Sequence, residues 1–140
     1  MKKIVETYDG KVRLVLRYAP FHQGAEPIAR ALEASRRQGK FWETLALVYA
    51  KQREWADHHH PRPEVLWQYF PSVGLDVEKL REDMGSPGVE AALRQDMTDA
   101  VVLGVRKTPT FIVNGRPLLR FGQSELQTLV RDTVVEVYGR

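Results

Sequence analysis

The fifteen residues Gly104-Val105-Arg106-Lys107-Thr108-Pro109-Thr110-Phe111-Ile112-Val113-Asn114-Gly115-Arg116-Pro117-Leu118 constrain the fold of this chain more than any other stretch. Residues 110–113 are four β-branched or aromatic residues in succession, too few for a helix, and they predict a buried strand. Pro109 precedes them, at a position where its missing N–H disturbs a ladder least. Asn114 and Gly115 both tolerate positive φ, as a tight type I′ hairpin turn requires. Residues 116–121 then read as the returning strand, which Pro117 places at a sheet edge. Gly122-Gln123-Ser124 ends that strand and opens a helix, with Ser124-x-x-Gln127 in the spacing of a capping box.

The rest of the chain supplies mostly helices. Residues 2–8 carry Ile4, Val5 and Tyr8 near helical spacing, and Asp9-Gly10 is a helix stop with glycine at the left-handed cap. Val12, Leu14 and Leu16 alternate with Arg13 and Arg17, the period of a strand. From Glu26 the period lengthens. Ile28, Ala29, Leu32 and Ser35 form one stripe, closed by Gly39. Phe41, Leu45, Val48, Gln52 and Trp55 form another, within a single helix over 40–55. Residues 57–63 read as a loop and 64–70 as a short helix ended by Pro71. Asp76 caps a helix over 77–84. Ser86-Pro87 starts a long helix to Leu103, with Val89, Leu93, Met97 and Val101 at every fourth position. Leu126, Leu129, Val130, Thr133, Val134 and Val137 mark a final helix. The predicted order is partial helix, strand, about five helices, two strands, helix.

This arrangement resembles the C-terminal half of a thioredoxin fold. The wording GVRKTPTFIVNGRPL is similar to that of the DsbA-like thiol–disulfide oxidoreductases. GKVRLVLRYAPFH resembles that family's second core strand, and EASRRQGKFWETLALVYAKQ the start of its helical insertion. The resemblance implies an α/β, thioredoxin-like fold, one domain over 1–140 with a helical insertion at about 26–103. It also implies that the first core strand and its Cys-x-x-Cys are absent, so that the domain is truncated or degenerate. In the family the Thr-Pro bond is cis, and the backbone of the residue before the proline pairs with an extended substrate peptide. Carried over, that loop is Lys107, Thr108, Pro109 and Thr110, with Thr108 as the pairing residue, a case of β-augmentation.

Composition removes the family's chemistry. The 140 residues include no cysteine, so a disulfide, thiolate catalysis and a cysteine-bound metal are excluded, and no catalytic residue is assigned. His58, His59 and His60 stand in succession in the 57–63 loop. Consecutive side chains diverge, so they are weak metal candidates, and the expectation is no metal and no cofactor. His22 has no acid–base partner in sight and reads as structural. The net charge of +3 is mild and its basic residues are interleaved with acids, so no nucleic-acid partner is expected. No run approaches the ~18 apolar residues of a membrane span, and Met1–Gly10 lacks the apolar core of a signal peptide, so the expectation is a cytoplasmic chain off the membrane, although the family is often periplasmic.

Three functional readings stay open. One is a redox-inactive relative of the oxidoreductases. The second is a non-catalytic module that binds extended peptide or protein segments beside Pro109. The third is an enzyme of another chemistry on the same fold, such as a kappa-type glutathione transferase, which would need a nucleophile segment not found here. One partner follows from the missing strand. Two apolar strands, at 12–16 and 110–113, would face each other across a gap of about 4.8 Å on either side. Their unpaired backbone groups would cost roughly 1–3 kcal/mol each if buried. A homodimer through 12–16 or the helices packed on it, burying more than about 1,000 Å², is the expected repair.

Overall fold

The structure, a computed structural model, describes residues 1–22, 24–57 and 59–139. The chain forms two compact units, Met1–Arg17 with Val105–Arg140, and Tyr18–Gly104.

The Tyr18–Gly104 unit is helical. Its helices are α2 (Ala25–Ser35), α3 (Phe41–Ala50), α4 (Gln52–Trp55), α5 (Val77–Met84) and α6 (Pro87–Val102), with short 3₁₀ turns at Arg36–Gln38, Pro63–Gln68 and Phe70–Val73. Helix α2 packs on α3, α5 and α6. It does so because it buries Ile28, Ala29, Ala31, Leu32, Ala34 and Ser35, and three of those six are alanines that let neighbouring helices approach. Leu66, Phe70, Leu80 and Val89 complete this core, each at most 2% exposed. The caps at Asp76 and Ser86 form as the sequence suggests: each side chain accepts the N–H three residues on, from Lys79 and Val89.

Two helical expectations change. The single helix over 40–55 is broken at Lys51 into α3 and α4. The short helix over 64–70 is instead two 3₁₀ pieces, each with a proline, Pro63 or Pro71, in its first turn. Proline fixes φ and withholds an N–H, so it starts turns here and cannot extend a helix.

The other unit holds α1 (Lys2–Thr7), β1 (Ile112–Val113), β2 (Arg116–Pro117) and α7 (Gln123–Tyr138). Ile4 of α1 and Leu126, Val130 and Val134 of α7 form its core. The α7 residues recur every fourth position and so share one stripe. Tyr8, Val12, Phe111, Val113 and Leu118 pack against it, partly buried. Helix α7 begins after Gly122, and no side chain caps it. Ser124 therefore lies inside the first turn, which corrects the expected capping box. The Glu125 carboxylate occupies the space over Gly122 where a Cβ would stand.

The sheet is smaller than expected. Where the α/β class was expected, the described residues are predominantly helical with one two-stranded sheet. β1 and β2 pair antiparallel, Ile112 opposite Pro117 and Val113 opposite Arg116. The Leu118 N–H reaches the Phe111 carbonyl at 2.9 Å. Asn114 and Gly115 take φ of 48° and 81°, so the tight turn forms as its two residues suggest. The strand expected over 110–113 is regular only at Ile112–Val113, and Ile112 is exposed, so it is not buried. The returning strand stops at Pro117 and does not run to Phe121.

Residues 12–16 are the largest correction, for they form no strand. Val12, Leu14 and Leu16 are half-buried and Arg13, Val15 and Arg17 exposed, so the period of two is present. Among the described residues, no backbone group of 12–16 has a backbone partner. A strand is defined by a neighbour, and this segment has none.

Candidate functional site

The hairpin register decides which backbone groups around Pro109 are available. In a two-residue hairpin the residues flanking the turn, here Val113 and Arg116, exchange hydrogen bonds, and the next pair does not. That next pair is Ile112 with Pro117. Pro117 has no N–H to offer, which suits that position. The N–H and C=O of Ile112 therefore point away from β2, and among the described residues they meet no backbone partner.

The Thr108–Pro109 peptide bond is cis. Thr110 Oγ1 donates to the Lys107 carbonyl at 2.6 Å and so closes the loop on itself. The backbone groups of Thr108 and Thr110 make no backbone hydrogen bond among the described residues, and both residues are exposed. An extended segment laid along this loop would find donors and acceptors ready, the requirement for β-augmentation.

Beside the loop lies an open depression of about 330 Å³. Lys107, Thr108, Pro109 and Thr110 form one wall with Phe111, so the structure brings the four loop residues together. The other wall is Leu118, Leu119 and Phe121. Leu119 is 91% exposed and Phe121 71%, large values for apolar side chains. Phe121 stacks obliquely on Phe111, with ring centroids 6.3 Å apart. Sequence reasoning missed this second wall. It placed residues 116–121 on a strand, where alternate side chains would have been covered. No local signal announces them: one ladder bond, from the Leu118 N–H to the Phe111 carbonyl, lies past Pro117, and Leu119 to Phe121 follow it outside the sheet.

The basic side chains differ in their partners. Arg116 donates to Thr133 Oγ1 and Glu136 Oε2, both at 2.7 Å, and thereby ties the hairpin to α7. Arg106, Lys107 and Arg120 are exposed and in no ion pair among the described residues.

The histidines do not assemble a site. Asp57 Oδ1 accepts the backbone N–H of His59 at 2.8 Å and of His60 at 3.0 Å, the pattern of an Asx turn. Both histidines are exposed, and His58 lies outside the described residues. Among the described residues no group of three His, Cys, Asp or Glu stands close enough to hold a metal ion. His22 is exposed, and its carbonyl accepts the Ala25 N–H at 3.1 Å, a turn contact ahead of α2.

Comparison with known proteins places the chain. A thioredoxin family model matches residues 1–132. A Na(+)/H(+) antiporter NhaA of Herminiimonas arsenicoxydans is 39% identical over 111 residues, which are 79% of this chain and 17% of that protein. The Na(+)/H(+) antiporter NhaA 3 of Salinispora tropica is 37% identical over 108 residues, 75% of this chain and 16% of its own. The chain thus spans about a sixth of the length of these curated relatives. No solved structure matches it. Among the described residues no helix is long and apolar enough to cross a membrane. With a match over nearly its whole length, the chain belongs to the thioredoxin family.

Proposed function

We propose that this chain is a DsbA-like member of the thioredoxin family, with the helices of Tyr18–Gly104 as the insertion, and that it binds extended peptide segments without exchanging disulfides. The single observation that carries the reading is the depression beside Thr108–Pro109. It combines unpartnered backbone at Thr108 and Thr110 with solvent-facing Leu119 and Phe121. Backbone pairing supplies affinity that does not depend on sequence, and the apolar wall takes alternate side chains. Exchange chemistry needs a thiolate to attack a disulfide sulfur, and this sequence contains no thiol.

Antiport is a property named for relatives of which this chain matches about a sixth. The matched part is the thioredoxin-like part, so we read it as a module that binds protein segments and leave ion transport to the remainder of those proteins.

The test is a fluorescence anisotropy titration of a labelled, unstructured ten-residue peptide rich in leucine and valine. The wild-type chain binds it saturably. Leu119→Asp, at a position exposed enough not to disturb the core, weakens binding by about tenfold or more, since losing one buried leucine contact removes roughly 1.5–3 kcal/mol. Absence of binding by the wild type, or equal binding by a folded Leu119→Asp, refutes the reading.

A second reading rests on residues 12–16, whose backbone groups have no backbone partner among the described residues. An open apolar edge is a template for pairing, and a two-fold axis makes such a contact self-complementary. We propose a homodimer through that segment.

A further inference from the structure

The charged residues in the chain segment that lines the depression are of one sign. Between Gly104 and Ser124 the sequence contains four basic residues and no acidic one. One of the four, Arg116, is committed to Thr133 and Glu136 of α7. The other three, Arg106, Lys107 and Arg120, are exposed and in no ion pair among the described residues. Lys107 lines the depression itself, and Arg120 stands between two of its apolar wall residues, Leu119 and Phe121. The first acid that follows, Glu125, has its carboxylate over Gly122 at the start of α7. Several basic side chains elsewhere in the chain do find carboxylates: Arg30 meets Glu26 and Glu90, Arg36 meets Glu33, and Arg37 meets Asp83. The three on this segment are left to solvent.

We propose that the partner segment is an extended peptide with an apolar centre flanked by aspartate or glutamate. This rests on the peptide-binding reading above and adds the chemistry of the ligand. Leu119, Phe121 and Phe111 take the apolar side chains, the Thr108 backbone pairs with the peptide backbone, and Lys107 with Arg106 and Arg120 meets the flanking carboxylates. A basic flank would meet Lys107 in the lining and the cations on the same segment, so the arrangement discriminates by repulsion as well as attraction. Rim charges of this kind act through complementarity and encounter rate, and salt screens them.

The experiment uses three fluorescein-labelled peptides with one central Leu-Val-Phe-Leu core, flanked by glutamates, by serines or by lysines. Anisotropy titrations are run at about 50 mM and 500 mM salt. The glutamate peptide binds at least about tenfold tighter than the lysine peptide at low salt, the serine peptide falls between, and the gap shrinks at high salt. The double variant Lys107→Glu with Arg120→Glu, both surface positions, inverts the order. Equal binding of all three peptides, or preference for the lysine flank, overturns this inference and leaves the peptide reading standing. Binding of none of them overturns both. Flotation with vesicles of phosphatidylcholine and phosphatidylglycerol, lost in the double variant while no peptide binds, assigns the face to anionic lipid and also overturns it.

Discussion

Replacing Tyr18 by phenylalanine tests how the Tyr18–Gly104 unit is held at its start. Tyr18 is 7% exposed, and its hydroxyl donates to Glu33 Oε2 at 2.8 Å. The same oxygen accepts from Arg36 Nε at 2.8 Å, and the Arg36 guanidinium lies 3.7 Å from the centre of the Phe41 ring. The Tyr18 amide separately donates to Asp96 Oδ2, a bond that phenylalanine retains. The substitution therefore removes one hydrogen bond to a carboxylate and little packing. Such bonds contribute about 1.5–3 kcal/mol, or roughly 1 M in a urea midpoint for a protein of this size.

The pH dependence makes the test specific. Burial first, and then the hydrogen bond to Glu33 and its charge, push the Tyr18 phenol well above its ordinary value. Below about pH 10 both folded and unfolded chains hold the phenol proton, so the contribution is complete there. Above that the unfolded chain releases the proton while the folded chain keeps it, and stability falls by about 1.4 kcal/mol per pH unit. Phenylalanine has no such proton to lose. Urea unfolding followed by circular dichroism at pH 7, 9, 10.5 and 11 is expected to show the wild-type advantage constant to pH 9 and shrinking beyond pH 10. An advantage that is absent at pH 7, or that does not change up to pH 11, refutes the reasoning.

Other consequences are open to measurement. Gly24 has φ of +79°, and a Cβ there would stand 2.9 Å from Pro61 Cβ, whereas Gly39 has φ of +67° with nothing within 4 Å. Gly24→Ala is expected to cost more than Gly39→Ala, because both meet the left-handed penalty of about 1–2 kcal/mol and only the first meets a rigid ring. Urea midpoints of the two variants compare them directly. Light scattering after size exclusion at micromolar concentration is expected to give twice the 16.1 kDa chain mass, and a well-folded monomer contradicts the homodimer. The purified chain is expected to give no insulin reduction above buffer, since it has no thiol.

Local features were legible in the sequence and non-local ones were not. Asp76, Ser86 and Pro87 placed helix starts because a cap acts within three residues. Asn114-Gly115 placed the hairpin because positive φ is a property of those two residues. The alternation at 12–16 did appear as alternate burial, yet no strand formed, because pairing depends on a neighbour that the segment itself cannot specify. The break at Lys51 carries no glycine or proline to announce it. Of the candidate site, the Lys107–Thr110 wall could be read from Thr-Pro before a β-branched run. The Leu118–Phe121 wall could not, since it exists because the returning strand ends at Pro117.

The central claim is that the loop at Thr108–Pro109 binds extended segments through its backbone. The direct measurement follows the amide resonances of the ¹⁵N-labelled chain while a leucine- and valine-rich peptide is added, and then two peptides of the same sequence, each methylated at one of the two alternating sets of backbone nitrogens. Methylation removes donors and leaves the side chains in place. The account expects the first peptide to shift Thr108, Thr110, Phe111 and Leu119, and the methylated peptide of one of the two alternations to leave them unmoved. Equal shifts with all peptides, or shifts only at residues remote from the loop, would contradict it.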